Sequence, residues 1–215
     1  MGLLRAASDP VLLVSLAVAF VVAITIHEFL HAWVADRLGD STPRREGRVT
    51  LNPLRHLDPM GTVLLALVGF GWGRPVIVNP MNFAIGPRTG MALVAVAGPL
   101  SNVVLALALA PVARSFAGAG ADPLTEAMGL ILVLTVQVNV LLAIFNLIPI
   151  PPLDGFAVLV GIVPREIAYQ LDRLRTFGPF LLLALLIAGP FLGLNVIGFL
   201  VGGPISFVNG LLLGP

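Results

Sequence analysis

The 215-residue chain has no cysteine and few charged residues, and both absences narrow what it can be. Without cysteine, a disulfide framework and thiolate metal ligation are excluded, which leaves histidine and carboxylate as metal ligands. Charged residues make up 11% of the chain and apolar residues 58%, whereas soluble domains average about 25% charged. With a mean hydropathy of +1.02, the chain is predicted to be an integral membrane protein. Its net charge of +1 gives no signal for binding nucleic acid.

Long apolar segments predict how often the chain crosses the bilayer, since a spanning helix needs about 20 such residues. Residues 11–35, 91–113 and 127–148 each reach this length. The last apolar stretch, residues 180–213, is interrupted by proline, asparagine and a Gly-Gly-Pro sequence. It fits either one span with a short re-entrant piece or two short spans.

These segments predict an all-α polytopic membrane protein with about five or six transmembrane segments and a three-helix core. The chain forms one domain over residues 1–215, with the core at about 10–163 and C-terminal membrane segments at about 178–213. Seven of the twelve arginines lie between the first two spans: Arg37, Arg44, Arg45, Arg48, Arg55, Arg74 and Arg88. Because cytoplasmic loops are rich in basic residues, we expect this connection in the cytoplasm and the N-terminus outside.

Two elements are predicted within this cytoplasmic connection. Residues 61–73 are apolar and end in GFGWG, too short to span and too rich in glycine for a stable helix, which favours a re-entrant or interfacial element. Residues 75–79, PVIVN, are typical of a short extended strand. Its edge, at Val76, Ile77 and Val78, either caps the fold or pairs with an extended substrate.

The sequence HEFLH places His27, Glu28 and His31 in an apolar segment that has no other ionisable residue. Polar groups at bilayer depth cost several kcal/mol and normally mark a functional site. Positions i and i+4 share a helix face, so one cation can bridge the two imidazoles, and Glu28 lies close enough to reach a water on that metal. His27 precedes the end of its segment by eight residues, a depth of roughly 12 Å.

A catalytic zinc usually has three protein ligands and one water, so a third ligand is needed. Asp154 is the acidic residue flanked on both sides by sequence apolar enough for a membrane, and it follows three prolines in IPIPPLDG. These prolines impose irregular backbone, which is tolerated at bilayer depth only inside protein or beside a polar cavity, and Gly155 permits close approach. The alternative interpretation of Asp154 is a helix N-cap. His56 lies in a turn-rich basic loop, where we expect it to be solvated and outside the metal site.

Thr135, Asn139 and Asn146 are spaced by four and seven residues, so they share one face of the third span. We interpret Thr135 and Asn139 as hydrogen-bonding groups between helices. Asn146 stands at the mouth of the proline loop, where an amide can hold the backbone of an extended substrate.

Three ordered motifs carry a resemblance to a known family: HEFLH, AGPLSN at residues 97–102 and FNLIPIPPLDG at residues 145–155. Together with RVTLNPLRHLDPMGT and GWGRPVIVNPMNF, they resemble the site-2 protease family of intramembrane zinc metalloproteases, in its short single-domain bacterial and archaeal form without PDZ or CBS domains. The resemblance implies one zinc ion per chain. It assigns ligation to His27, His31 and Asp154, the general base to Glu28, and substrate positioning to Asn146.

The resemblance also implies that Gly98 and Pro99 let the second core helix pack closely. We therefore predict a multi-pass protease of the prokaryotic cell membrane, with an active site reached from the cytoplasm. Its partners are the lipid bilayer and a membrane-protein substrate with a transmembrane segment, while the oligomeric state stays open. Two other functions compete, a divalent-metal transporter and a catalytically silent binder of membrane proteins. Glu28 beside His27 favours hydrolysis over both.

Overall fold

A computed structural model describes residues 9–68, 71–116, 122–188, 193 and 195–214. In this part of the chain the regular structure is helical. The α-helices are α1 Pro10–Arg37, α2 Thr42–Arg45, α3 Pro59–Val68, α4 Pro87–Phe116, α5 Pro123–Asn146, α6 Asp154–Ile162, α7 Arg165–Asp172, α8 Gly178–Leu183 and α9 Val196–Leu213. Short 3-10 helices lie at Pro53–Arg55, Pro80–Asn82 and Arg173–Thr176, and a π-helical stretch, Ala184–Ala188, continues α8.

Four of the described helices, α1, α4, α5 and α9, are long and apolar enough to cross a membrane. The chain is therefore a membrane protein, and the first three of these helices confirm the three predicted core spans. The expected five or six segments are not confirmed, because the last apolar stretch supplies only one such helix within the described residues. Asn195 begins that helix by accepting a hydrogen bond from the Gly198 amide at 3.0 Å. Residues 189–192 and 194 lie outside the described residues.

Local sequence explains where two of the core helices begin. Asp9 precedes Pro10, and its Oδ1 accepts hydrogen bonds from the amides of Val11 and Leu12 at 3.0 and 3.1 Å. Asp122 caps α5 in the same way, ahead of Pro123. An aspartate cap followed by proline satisfies amide groups that the first turn leaves free, so each helix has a defined start.

Helices α1, α4 and α5 pack against one another, as the predicted three-helix core requires. Ala106, Ala110 and Ala113 lie along one face of α4 and pack on Val136 and Val140 of α5. Small side chains let the helix backbones approach closely, which is how membrane helices associate without a strong hydrophobic driving force. Helix α9 lies against α4 and α5, and α6 packs on α4. Both α1 and α6 thus pack against α4.

The connection between α1 and α4 differs from its prediction. Residues 59–68 form the ten-residue helix α3, so the expectation that residues 61–73 are too rich in glycine for a helix is wrong for this part. Ten residues reach about 15 Å, which is half of the bilayer core. The helix is too short to span, as predicted, but a re-entrant path is not confirmed, and residues 69–70 lie outside the described residues.

The strand predicted at residues 75–79 is also absent from the described structure. The isolated antiparallel bridge in this region instead joins Leu57 to Gly73. Pro75 has no amide hydrogen to donate, and its carbonyl accepts a hydrogen bond from Arg48 Nη1 at 2.9 Å. The segment's first carbonyl is thereby used by a side chain and not by a neighbouring strand. Substrate binding by Val76, Ile77 and Val78 is a separate question and stays a prediction.

Candidate metal centre

The three predicted metal ligands lie close together in the fold. His27 and His31 lie one turn apart on α1, and Asp154 is the first residue of α6. The two Nε2 atoms are 3.0 Å apart, and Asp154 Oδ2 lies 3.1 Å from the first and 3.3 Å from the second. Among the described residues, these three form the group that can hold a metal ion. The structure thus brings together residues that are 127 positions apart in the chain.

Helix α4 fixes the orientation of both imidazole rings. His27 Nδ1 lies 2.6 Å from Asn102 Oδ1, and His31 Nδ1 lies 2.7 Å from the carbonyl oxygen of Val94. Both partners are oxygens that accept hydrogen bonds, so each Nδ1 carries the proton and donates. The lone pair of each neutral ring is therefore on Nε2, which faces the other histidine and Asp154.

The assignment at Asn102 follows from its other contacts. Its Nδ2 donates to the carbonyl of Ala23 at 3.1 Å and to Asn139 Oδ1 at 2.7 Å, so only its Oδ1 remains for His27. Asn139 Nδ2 in turn donates to the carbonyl of Thr135 at 2.8 Å. Asn102 and Asn139 are fully buried, and this network joins three helices behind the ligand. Such outer hydrogen bonds set the tautomer and orientation of a metal-binding histidine.

The converging atoms fit a zinc ion. Two imidazole lone pairs and a carboxylate oxygen repel one another at 3.0–3.3 Å unless a cation lies between them. Ligands on tetrahedral zinc, bonded at about 2.1 Å, are themselves about 3.4 Å apart. Asp154 Oδ2 is buried and has no hydrogen-bond partner in the described part of the chain, as expected of an atom reserved for a metal.

The proline loop delivers Asp154 to this point. Gly155 packs so closely against the turn that ends α5 that a Cβ there would lie 2.2 Å from the carbonyl oxygen of Leu147, which confirms the predicted close approach. Helix α6 begins at Asp154 itself, and its side chain makes no capping bond, so the N-cap alternative is not observed. The Asp154 side chain is 20% exposed, against 4% for His27. Asp154 is therefore the most exposed of the three residues.

Glu28 lies beside the three ligands without joining their group. It is 8% exposed, and its Oε2 lies 3.7 Å from Arg48 Nη2. As the next residue along α1 after His27, it is turned by about 100° around the helix. A buried carboxylate that neighbours a metal centre but is free of it is placed to exchange a proton with bound water.

The other predicted polar residues have mixed outcomes. Asn139 forms the expected bond between helices, whereas the hydroxyl of Thr135 donates to the carbonyl of Ile131 in its own helix, so that prediction is wrong for its side chain. Asn146 is the last residue of α5, and its Nδ2 donates to the carbonyl of Leu142 at 3.0 Å. Its role toward substrate stays a prediction.

His56 is buried, which corrects the expectation that it is solvated. Its Nε2 donates to the carbonyl of Thr50 at 2.7 Å, and its own carbonyl accepts from the Arg74 amide at 2.7 Å. Burial, aided by the nearby Arg48 charge, lowers the pKa of His56 below its ordinary value despite the bond to Thr50. A buried His56 with a neutral ring, bonded to two other parts of the connection between α1 and α4, is consistent with its exclusion from the metal group.

Asn102 is the site residue that sequence reasoning missed, although a lone amide in an apolar span is the same signal that marks the histidines.

Replacing Asn102 with alanine should remove the acceptor at His27 Nδ1 and free the ring to rotate. Because loss of such outer partners costs about 10–100-fold in metal affinity, we expect a decrease of that size. Competition with a fluorescent zinc chelator measures it. Asn209→Ala in α9 is the control, and equal affinities for all three proteins would contradict the role of Asn102.

Comparison with known proteins places this centre in a family. The chain is 36% identical over 175 residues to the "Putative zinc metalloprotease YwhC" of Bacillus subtilis, covering 80% of each protein. It is 30% identical over 175 residues to the "Putative zinc metalloprotease Rip2" of Mycolicibacterium smegmatis, and 33% identical over 177 residues to the protein of that name in Mycobacterium tuberculosis.

These alignments include 78% and 79% of this chain but 64% and 65% of the two Rip2 proteins, which are longer. No protein-family model matches the chain, and no solved structure matches it significantly. The YwhC match covers most of both proteins. In this chain His27, His31 and Asp154 form a group that can hold a metal ion, as a zinc metalloprotease needs. The chain belongs to this family of zinc metalloproteases.

Proposed function

We propose that the protein is an intramembrane metalloprotease of the site-2 type, which hydrolyses peptide bonds in or near transmembrane segments of other membrane proteins. The observation that carries this proposal is the position of the centre. His27, Glu28 and His31 are all buried in α1, a helix apolar enough to cross a membrane. A substrate that reaches them must enter the membrane-embedded part of the protein.

The chain's own residues supply the proton chemistry. A bound zinc ion supplies Lewis acidity, which polarises a carbonyl group and makes a water molecule more acidic. Glu28 accepts the proton of the attacking water and then delivers it to the nitrogen of the departing amine. The hydrogen bonds to Asn102 and Val94 hold His27 and His31 in one tautomer through both steps. A low exposed fraction at these side chains limits competing bulk water.

The substrate is proposed to bind as an extended strand along Val76, Ile77 and Val78. No backbone group of these three residues is hydrogen-bonded within the described part of the chain. Arg48 holds the carbonyl of Pro75 at one end, and at the other Asp40 Oδ2 accepts the Asn79 amide at 2.7 Å. Free amides and carbonyls on a segment anchored at both ends suit the addition of a substrate strand.

The orientation of the protein in the membrane is part of the same proposal. The arginine-rich connection between α1 and α4 supports a cytoplasmic side for the opening beside Asp154, with the N-terminus outside. The chemistry requires a helical substrate to unwind before it pairs with an edge, since peptide groups inside an intact helix are already hydrogen-bonded. Substrate segments with helix-weakening residues are therefore expected to be preferred.

Zinc removal and restoration test this function. The purified protein is incorporated into liposomes with a model single-span substrate, stripped with a chelator and then titrated with zinc. We expect cleavage to stop after stripping and to return fully at one zinc per chain, with the cut bond mapped by mass spectrometry to the apolar segment. Cleavage that survives stripping, or a cut only in soluble parts of the substrate, would contradict the proposal. Zinc flux into the same liposomes, without cleavage, would indicate a transporter.

A further inference from the structure

Arg48 connects the catalytic carboxylate to the segment proposed to receive substrate. It lies after α2 in the cytoplasmic connection, and only 3% of it is exposed. Its Nη1 donates to the carbonyl of Pro75 at 2.9 Å, and its Nη2 donates to the carbonyl of Arg74. The same Nη2 lies 3.7 Å from Glu28 Oε2. One guanidinium therefore forms an ion pair with Glu28 and hydrogen bonds to the two residues that precede Val76.

Burial of a guanidinium is costly unless its donors are used. In Arg48, Nη1 and Nη2 both donate to backbone carbonyls, whereas the buried Nε has no hydrogen-bond partner within the described residues. A planar fork with fixed donor directions sets the geometry between the groups it contacts, which a flexible lysine ammonium does not. Asp40 provides a comparison at the other end of the segment. It anchors the Asn79 amide and the Asn82 side chain, but its bonding partners do not include Glu28.

We propose that Arg48 is a positioning residue that sets which substrate peptide bond comes to Glu28. This inference rests on the proposed proteolytic function. A substrate paired with the segment is in a register defined by the backbone of residues 76–78, and that backbone is held at a fixed distance from the base by Arg48. Without the hydrogen bonds of the Arg48 guanidinium, residues 76–78 can shift relative to Glu28. Because an extended chain advances about 3.3 Å per residue, a shift of about that length brings the neighbouring bond to the centre.

The first test maps the cut bond in Arg48→Lys and Arg48→Gln beside the wild type. We expect both variants to keep zinc, to cut at bonds displaced by one or two residues, and to lose about 100-fold in kcat with a smaller change in KM, since misplacement by about 1 Å has that effect. Arg55→Gln, an exposed arginine in the same connection, should cut at the wild-type bond. A purely structural role would lower thermal stability and overall cleavage without moving the bond, and that result in the lysine variant would overturn the proposal.

The second test needs no cleavage and uses the absence of cysteine from the chain. Ile77→Cys, whose parent side chain is 59% exposed, is introduced into a Glu28→Gln background and oxidised against a panel of single-cysteine substrates. With Arg48 present, crosslinking should peak at one substrate position, and with Arg48→Lys the peak should move or broaden. An unchanged profile would overturn the role of Arg48. Failure of the wild type to cleave any substrate would contradict the proposed function instead, so the two failures are distinguishable.

Discussion

Replacing Glu28 with glutamine is expected to abolish peptide-bond cleavage while the protein keeps its zinc. Glutamine has nearly the same shape but cannot accept a proton from water at neutral pH. General acid–base catalysis contributes about 10²–10⁴-fold, and this residue is proposed to serve both proton transfers, so kcat should fall by at least about 10³-fold. Zinc is expected to stay at one per chain, because the group that can hold the metal consists of His27, His31 and Asp154 and does not include Glu28. Cleavage rates and metal analysis on the same preparation measure both quantities.

Glu46 offers a matched control for this substitution. It is exposed in the connection between α1 and α4, so Glu46→Gln makes the same chemical change away from the centre and should leave the cleavage rate unaltered. Equal rates for the wild type and Glu28→Gln would show that another group accepts the proton. Loss of zinc from Glu28→Gln would show instead that Glu28 is a ligand, and the roles assigned on α1 would have to be exchanged.

The centre itself was predictable from sequence because its signals are local and energetic. A polar group at bilayer depth carries a large cost, so His27, Glu28, His31 and Asp154 are conspicuous in apolar segments. Helix period then places the two histidines on one face, and the structure joins them to Asp154 as expected. The long core helices were predictable for a related reason, since a membrane fixes the minimum length of an apolar segment.

The connection between α1 and α4 was much less predictable, because its shape depends on contacts between distant residues. Arg48 takes the carbonyl of Pro75, 27 positions away, and Asp40 takes the amide of Asn79, 39 positions away. Local propensity reads PVIVN as a strand, but these side-chain bonds replace the ladder that a strand needs. His56 illustrates the same limit, as a histidine in a polar loop that is buried by tertiary contacts.

Replacing Gly98 with alanine is expected to destroy zinc binding with little other change. Val94, Gly98 and Asn102 are spaced by four along α4, so they lie on one face, where the outer two accept the Nδ1 hydrogen bonds of the histidines. Between them, a Cβ at Gly98 would lie 2.4 Å from His31 Nε2 and 2.7 Å from His27 Cε1. The close packing implied for Gly98 is thereby confirmed, and Pro99 beside it is also buried.

Ordinary contact begins at 3.4 Å, so the His31 ring must retreat by about 1 Å from the 2.4 Å position. Zinc sites tolerate about 0.2 Å of error in ligand distance, and each ring is also tethered by its Nδ1 bond. We therefore expect zinc affinity to fall by at least about 100-fold, equivalent to roughly 2.8 kcal/mol, with cleavage lost in proportion. Helicity should be unaffected, since alanine favours a helix more than glycine does.

Gly202 in α9 is the matched control, because a Cβ there meets nothing within 4 Å. Gly202→Ala should bind zinc and cleave substrate as the wild type does, so any defect of Gly98→Ala is assignable to the imidazole rings. The Gly98 and Glu28 variants are also expected to fail at different steps. Gly98→Ala should fail at the metal-binding step, whereas Glu28→Gln should fail only at proton transfer. Stoichiometric zinc in Gly98→Ala would show that the His27 and His31 imidazoles can move to another metal-binding position and that α4 does not confine them.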